Sequence, residues 1–376
     1  MTAGFLTRGQ PAALARVGGW IAAERCPAAI LVVGPGRVGK TTMALDLAAG
    51  LLCLAEDPAD RPCRACAACR KVEHGNHPDL HRLAPSGPGG QVRIDQVRGL
   101  LAELALLPME GRCRVALVEA AHRLNEDAQN ALLKTLEEPP GSAVIVLCAD
   151  DETVLLDTLL SRCTRLRLGP VDARVTAALL VERGLADAPR AARLTRASAG
   201  RPGVAIALAA VPEALLIRGR LFRSLLDLVG APRPERLGAA AGLLGDAVAL
   251  AEIAEAAPAS TVTPGSAAPA ATTGAPEAAG RVASPSDRRR AAAALMAAWR
   301  EVARDLAVVI AGGRAEIGDP ELLEEYERAA VGLDPIAVAR FLGRLDELAA
   351  AVEGYANPEL VIDVLLLGWP RAERAA

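Results

Sequence analysis

Apolar residues occur in two kinds of pattern along this chain. Before residue 170, short continuous apolar runs alternate with segments in which apolar residues recur every three or four positions. The runs Ala29–Val33, Val115–Val118 and Ala143–Leu147 are bounded by glycine, proline or charged residues. Such runs are typical of parallel strands covered on both faces. Their alternation with helical segments predicts an α/β domain over residues 1–170, with a parallel sheet and helices on both faces.

Two of the helical segments have identifiable ends. Asp95 precedes one helical pattern, and Asn125 is placed to cap another. Pro139 and Pro140 are expected to end the second helix, since proline cannot continue the hydrogen-bond ladder.

After residue 170 the strand signals disappear, and Ala, Leu and Arg dominate at helical spacing. Residues 171–212 are predicted to form a helical lid, and residues 213–376 an all-helical C-terminal domain. Long helices are expected over 288–310 and 334–353, where they suit packing against other subunits or against the domain's own core.

Residues 256–287 have a different composition. They contain mainly Pro, Ala, Thr, Ser and Gly, with almost no large apolar residue. A segment of this kind cannot bury enough surface to fold. It is predicted to be a disordered linker that interrupts the C-terminal domain.

Composition excludes some classes of function. The chain has 376 residues, a formal net charge of −3, and only three Trp, two Tyr and three Phe. That is too few aromatic side chains for a base-stacking platform, so direct reading of nucleic acid is not expected. No apolar stretch approaches the roughly 18 residues that a spanning helix needs, and no signal peptide is evident. We expect a cytoplasmic protein with no membrane partner.

A glycine-rich loop follows the first predicted strand. Residues 34–41 read Gly-Pro-Gly-Arg-Val-Gly-Lys-Thr, and a helical pattern begins directly after them. In such loops glycines turn backbone N–H groups toward a phosphate, lysine reaches the outer phosphates, and a hydroxyl binds Mg²⁺. ATP with Mg²⁺ is the expected ligand. The predicted binding residues are Gly34, Gly36, Gly39, Lys40, Thr41 and Thr42.

The strand that should carry the catalytic carboxylates is incomplete. Many of these NTPases have an Asp at the end of a second strand, often followed by a Glu that orients the attacking water. Here the two positions hold Glu119 and Ala120. Glu119 can reach a Mg²⁺-bound water, but Ala120 has no group that polarises a nucleophile, so intrinsic ATPase activity is expected to be weak or absent. Alternatively, Asp150 or Asp151 supplies the base.

Four cysteines have the spacing of a metal site. Cys63, Cys66 and Cys69 are separated by two residues each, and Cys53 precedes them by ten positions. Four thiolates can close the tetrahedral shell of a structural zinc ion, and this predicts a zinc module at about 53–80. The alternatives are a redox pair and a three-cysteine shell completed by His74 or His77. The remaining cysteines are interpreted as small buried residues.

The order of these motifs resembles that of the delta-prime subunits of bacterial DNA polymerase III clamp loaders, in the AAA+ superfamily. The similarity is dense over about 1–170 and thin beyond. Besides the phosphate loop and the four cysteines, it includes residues 76–80 (Asn-His-Pro-Asp-Leu), 94–98 (Ile-Asp-Gln-Val-Arg), 130–140 (Asn-Ala-Leu-Leu-Lys-Thr-Leu-Glu-Glu-Pro-Pro) and 161–163 (Ser-Arg-Cys).

The resemblance implies an AAA+ domain, a lid and a collar domain in a five-subunit ring. The ring uses ATP to open a sliding clamp and place it on primed DNA. The implied partners are the tau/gamma motor subunits and the delta subunit, with the clamp and primed DNA contacted through the complex. Such a subunit has no polymerase activity of its own.

The resemblance also assigns a role to Arg162. It implies an arginine finger that acts on the ATP of a neighbouring subunit, where a guanidinium neutralises charge developing at the γ-phosphate. Without the family, Arg162 would be interpreted as a solvated surface residue. Arg201 lies where AAA+ relatives place an arginine that senses the γ-phosphate, although a plain loop arginine is equally compatible with the pattern.

Other hypotheses stay open from the sequence. Glu137 and Glu138 resemble a catalytic carboxylate pair, but adjacent helical residues point in different directions, which favours a surface or interface role. The intact phosphate loop is also compatible with a tau/gamma-type motor ATPase. A small-molecule P-loop kinase is disfavoured because the cysteine module and the long helical tail would have no role in it.

Overall fold

The computed structural model describes residues 4–85, 92–256, 285–353 and 356–371. The described chain forms two compact units. The first contains the residues up to Leu179 together with Gly200–Gly203, and the second contains Leu180–Ala199 and the described residues from Val204 onward. The division into a lid at 171–212 and a collar domain from 213 stays a prediction.

The first unit is built on a parallel sheet of five strands. In chain order the strands are β1 Ala29–Val33, β2 Leu80–Leu83, β3 Arg114–Val118, β4 Ala143–Ala149 and β5 Thr164–Arg167. Their spatial order is β2-β3-β4-β1-β5, with β1 between β4 and β5. The register pairs Val33 with Ala149 on one side and with Arg167 on the other. Consequently the carboxyl ends of β1 and β4 open side by side at one edge, where ligands of such sheets bind.

Successive residues of the central strands place their side chains in different hydrophobic clusters, one on each face of the sheet. Ile30 and Val32 belong to one buried cluster, which also contains Met43 and Leu47 of the helix after β1. Leu31 and Val33 face the other side and join a second buried cluster. Both faces of the sheet are therefore covered, which explains why β1, β4 and residues 115–118 of β3 are continuously apolar rather than alternating.

Sixteen α-helices complete the described chain. They are α1 Pro11–Ala22, α2 Lys40–Leu52, α3 Ala67–His74, α4 Ile94–Leu104, α5 Glu126–Glu137, α6 Asp157–Leu160, α7 Ala173–Glu182, α8 Ala188–Ala197, α9 Pro202–Ala210, α10 Ala214–Asp227, α11 Arg233–Gly238, α12 Ala240–Ala256, α13 Pro285–Ile310, α14 Leu323–Ala330, α15 Pro335–Glu353 and α16 Pro358–Gly368. None of them is long and apolar enough to cross a membrane.

The second unit is helical, and an aromatic cluster lies in its core. Trp299 on α13 has its ring centroid 5.5 Å from that of Phe341 on α15 and 5.5 Å from that of Trp369. The Phe341 and Trp369 centroids are 4.6 Å apart in an edge-to-face arrangement. Although the chain has few aromatic residues, these three pack against one another. They thereby join α13, α15 and the segment after α16.

The α/β class, the parallel sheet and the helical C-terminal region are confirmed. Asn125 accepts a hydrogen bond from the Ala128 N–H and caps α5, as predicted. Strand β2 was not predicted, because its four residues include His81 and Arg82 and give no continuous apolar run. The helix before the predicted linker ends at Ala256, and the helix after it begins at Pro285. The linker at 256–287 lies mostly outside the described residues.

Candidate functional site

The glycine-rich loop connects β1 to α2 and has the backbone geometry of a phosphate cradle. Gly39 precedes α2 with φ of +109°, and Arg37 has φ of +65°. Both angles lie in the left-handed region that lets successive N–H groups point to one side. A Cβ atom on Gly34 would come within 2.3 Å of the Leu168 carbonyl oxygen, so this position has room only for glycine.

Lys40, the first residue of α2, has its ammonium inside the loop. Its Nζ donates to the carbonyl oxygens of Gly34 and Pro35, both at 2.7 Å. A third contact, also at 2.7 Å, joins it to Oδ1 of Asp150 at the end of β4. Thr41 and Thr42 follow, half-buried, in the first turn of α2. The predicted phosphate-binding residues are thus adjacent, and a carboxylate lies beside them.

The carboxylate at the end of β3 has a partner in the edge strand. Glu119 Oε1 accepts from Nε and Nη2 of Arg82, at 2.9 and 2.6 Å. Ala120, the next residue, is buried and apolar. As a consequence, the negative charge of Glu119, the residue predicted to reach a Mg²⁺-bound water, is compensated by Arg82. No second carboxylate directly follows Glu119 in the chain.

Asp150 and Asp151 differ in their surroundings. Asp150 contacts Lys40, and its N–H donates to Nδ1 of His122 at 3.1 Å. Asp151 Oδ1 accepts from the Thr153 N–H at 2.8 Å, and this hydrogen bond lowers the pKa of Asp151. Of the two alternative bases, Asp150 is therefore the one whose carboxylate lies at the phosphate loop.

The turn that carries Arg201 is bonded to the same loop. The Gly203 N–H donates to the Arg37 carbonyl oxygen at 3.0 Å. Ala199 and Gly200 have φ of +48° and +73°, and these two left-handed residues bend the chain before α9. Pro202 opens α9, a position that proline suits. The structure therefore brings the backbone two residues after Arg201 next to the phosphate loop. The role of Arg201 as a sensor stays a prediction.

Arg162 lies in the turn after α6. Its Nη1 donates to the Thr158 carbonyl oxygen at 2.7 Å, and its Nη2 is ion-paired with Glu137, the last residue of α5. The Arg162 side chain is 32% exposed. The predicted finger is therefore oriented by α5 and α6 while its guanidinium remains accessible to solvent.

The four cysteines of the predicted metal module converge. The sulfur atoms of Cys53, Cys63, Cys66 and Cys69 all lie within 4.8 Å of one another, and those of Cys53 and Cys66 are 4.0 Å apart. A tetrahedral zinc shell with bonds of about 2.3 Å would place its sulfurs about 3.8 Å apart. The donor set and its spacing fit a closed four-thiolate site.

The electrostatics of one thiol also suit a metal ligand. Burial opposes ionisation of Cys66, but hydrogen bonds from the Leu54 and Cys69 N–H groups, together with those from the neighbouring thiols, outweigh it and lower its pKa to about 6. The two histidines considered as alternatives have other partners. His74 Nδ1 lies 2.6 Å from the Arg70 carbonyl oxygen, and His77 Nδ1 accepts from the Asp79 N–H.

A buried ion pair joins the cysteine module to α2. Arg64, between the first two clustered cysteines of the module, is ion-paired with Asp46 in the middle of α2. Asp46 is fully buried and also accepts from the Leu6 N–H and from the Thr7 N–H and hydroxyl groups. This pair was not predicted, since no sequence motif marks a partner that lies on a different element.

Asp79 gives a structural reason for part of the Asn-His-Pro-Asp-Leu motif. Its carboxylate accepts from the N–H groups of Met109, Glu110 and Gly111 at 2.7 to 2.8 Å. These bonds outweigh burial and hold the pKa of Asp79 below its ordinary value. The motif therefore fixes the loop that leads into β3.

Comparisons with known proteins identify relatives of the first part of the chain. Residues 9–172 match the family described as DNA polymerase III, delta subunit. DNA polymerase III subunit delta' of Pseudomonas aeruginosa is 36% identical over 176 residues, which cover 46% of this chain and 53% of that protein. Residues 9–172 are of the delta-prime clamp-loader type. The resemblance to delta-prime clamp-loader subunits, recognised from the sequence, is confirmed over this region.

The delta-prime-type region is also similar to motor subunits. DNA polymerase III subunit tau of Salmonella typhimurium is 34% identical over 197 residues, covering 51% of this chain and 30% of that protein. A solved gamma subunit-related protein from Thermotoga maritima has a TM-score of 0.44 at 16% identity, covering 93% of this chain and 97% of that one. The chain spans about half the length of the delta' relatives it matches.

Proposed function

We propose that this chain is a delta-prime-type stator of the DNA polymerase III clamp loader, which completes the ATP site of a neighbouring subunit through Arg162. The observation that carries the proposal is the position of Arg162 in a delta-prime-type region: held by Glu137 and Thr158, yet one-third exposed. An arginine finger must be held in position by its own subunit and must still reach the ATP of the neighbouring subunit.

The state of the chain's own site supports the same role. Glu119 is paired with Arg82, and Ala120 provides no catalytic carboxylate. The loop from Gly34 to Lys40 retains the shape of a phosphate cradle. We infer that ATP with Mg²⁺ can bind here, through the loop residues with Thr41, Thr42, Glu119 and Arg201, while turnover is weak or absent.

The remaining parts of the chain fit a subunit of a ring. We infer partners of the tau/gamma and delta kinds, with the sliding clamp and primed DNA contacted through the complex, in the cytoplasm. The cysteine module would hold a structural Zn²⁺ ion, because four thiolates leave no free position for a reacting water. Its link to α2 through Arg64 and Asp46 would support the phosphate-loop helix.

The second candidate is a tau/gamma-type motor ATPase. It is favoured by the intact phosphate loop and by the 34% identity to a tau subunit over 197 residues. Turnover by the isolated chain separates the two candidates. Robust ATP hydrolysis by the chain alone would support the motor hypothesis and contradict the stator hypothesis.

The decisive experiment is reconstitution with purified motor and delta subunits of the same organism. Arg162→Ala should slow hydrolysis at the neighbouring site on the order of 10³-fold, as loss of an arginine finger does. It should leave the fold and ring assembly intact, because exposed ion pairs contribute only about 0–1 kcal/mol. Arg167→Ala is the matched control, since that arginine is more exposed and pairs with Glu152. Undiminished ATPase and clamp loading with Arg162→Ala would refute the role.

A further inference from the structure

The ammonium group of Lys40 has all of its donors engaged. Its three contacts, to the carbonyl oxygens of Gly34 and Pro35 and to Asp150 Oδ1, are each 2.7 Å long. A lysine ammonium has three N–H donors and no acceptor. The Lys40 side chain is also only 6% exposed. A phosphate that binds Lys40 must therefore replace one of the three acceptors.

Only one of these acceptors is free to leave. The carbonyl oxygens of Gly34 and Pro35 belong to the loop backbone, which β1 and α2 hold at both ends. The carboxylate of Asp150 is on a side chain that is 46% exposed. Rotation about its side-chain bonds can move it to solvent without moving the strand that it follows.

Asp150 is positioned against the loop by contacts on two sides. Its N–H donates to Nδ1 of His122, and its Oδ2 lies 3.9 Å from Nε2 of the same ring. Burial lowers the pKa of His122, which favours the neutral ring. On the other side, a Cβ atom on Gly36 would lie 3.0 Å from Asp150 Oδ2. The carboxylate therefore lies directly over the backbone of the loop's second glycine.

We propose that Asp150 is an internal competitor for the outer phosphates of a nucleotide, and that it sets how tightly this loop binds di- and triphosphates. The carboxylate and a phosphate are both anions, and one ammonium cannot hold both at the same point. If Asp150 stays, it repels the phosphate; if it leaves, its bond to Lys40 is lost. Either way, binding is weakened. The inference rests on the proposed nucleotide loop but not on the stator role.

The test is equilibrium binding of ATP, ADP and AMP to the full-length chain with Mg²⁺, by calorimetry. Asp150→Asn keeps the size of the side chain and removes its charge. It should tighten ATP and ADP binding about tenfold or more, because the repulsion between the carboxylate and the phosphate is removed; tenfold corresponds to about 1.4 kcal/mol. AMP has no outer phosphate for Lys40, so its affinity should stay unchanged.

Two further variants make the result specific. Asp95→Asn removes the same charge from an exposed helix surface, where the side chain is 86% exposed, and should leave all three affinities unchanged. Lys40→Ala combined with Asp150→Asn should lose the gain, since the competition takes place at Lys40. Circular dichroism and thermal melting check that each variant is folded.

Several results would overturn the inference. Equal ATP affinity of Asp150→Asn and the unaltered chain would show that the carboxylate does not compete, and so would undetectable binding by both. Weaker binding by Asp150→Asn would show that Asp150 serves as a ligand or a base. Each readout uses the chain alone, so it can fail while Arg162→Ala still lowers ring activity. The reverse outcome would leave Asp150 as the competitor and remove the stator role.

Discussion

The carboxylate of Glu137 and the guanidinium of Arg162 form an ion pair between the end of α5 and the turn after α6. The Glu137 side chain is 49% exposed and that of Arg162 is 32% exposed, so the pair lies at the surface. A γ-phosphate supplied by a neighbouring subunit would have to displace Glu137 from the arginine. The hydrogen bond from Arg162 to the Thr158 carbonyl oxygen can persist during that exchange.

Glu137→Gln should therefore raise the ATPase rate of the reconstituted ring by a modest factor, about two- to fivefold, since exposed pairs are worth at most about 1 kcal/mol. The variant removes the competing charge while Thr158 still orients the arginine. Single-turnover hydrolysis in the assembled ring measures the effect.

Glu138→Gln is the matched control for that experiment. It changes the adjacent carboxylate, which is not paired with Arg162 in the described structure, and should leave the rate unchanged. A slower ring with Glu137→Gln would mean that the carboxylate orients the finger rather than restraining it.

The cysteine cluster leads to a second prediction. Cys66→Ser should abolish stoichiometric binding of zinc, measured by elemental analysis of the purified chain, because the shell loses one of four thiolates. It should also lower the free energy of unfolding by several kcal/mol, since metal binding contributes to folding free energy. Cys163→Ser, outside the cluster, should keep the metal. Retention of zinc by Cys66→Ser would rule out the four-thiolate shell.

Buried His77 leads to a prediction about pH. It is 3% exposed, and burial lowers its pKa. The folded chain therefore keeps the ring neutral, whereas the unfolded chain protonates it below about pH 6.5. The unfolded state binds more protons as the pH falls, so stability is lost below that pH.

His77→Asn should weaken this dependence. Asparagine can still accept the hydrogen bond from the Asp79 N–H but cannot titrate. The free energy of unfolding, measured in urea between about pH 7.5 and 5.5, should fall less steeply for the variant. His81 and His122, whose pKa values burial also lowers, should leave part of the slope. Parallel curves for the two proteins would contradict the prediction.

The features that the sequence predicted are local in the chain. The phosphate loop and the clustered cysteines are recognisable because their residues lie at fixed short spacings, and the structure brings them together as expected. The contacts that it did not predict join distant positions. Asp46 with Arg64, Arg82 with Glu119, and Lys40 with Asp150 each link different elements.

A physical reason underlies this difference. Periodicity reports which face of a helix or strand is buried, but it carries no information about which polar group lies opposite on another element. Glu119 shows the consequence: its position predicted a role toward Mg²⁺, which stays a prediction, but gave no sign of its arginine partner on β2. That strand was itself missed, because His81 and Arg82 separate its two buried leucines and leave no continuous apolar run.

Arg236 gives the last prediction, in the helical unit. It is fully buried on α11, and burial lowers its pKa to about 10, so it remains charged at neutral pH. Its guanidinium donates to backbone carbonyl oxygens in two segments. The acceptors are those of Val229, Ala231, Leu366, Trp369 and Pro370, at 2.6 to 3.4 Å.

Arg236→Met fills a similar volume but leaves these buried carbonyl oxygens without donors. It should lower the free energy of unfolding by about 3–5 kcal/mol, because each buried unsatisfied acceptor costs about 1–3 kcal/mol and partial rearrangement recovers some of that. Arg236→Lys should recover only part of the loss, since an ammonium has three donors and lacks the planar fork that reaches both segments. Urea unfolding of the full-length chain measures both variants. If Arg236→Met were as stable as the unaltered chain, Arg236 would not be what fastens the chain after α16 to the segment before α11.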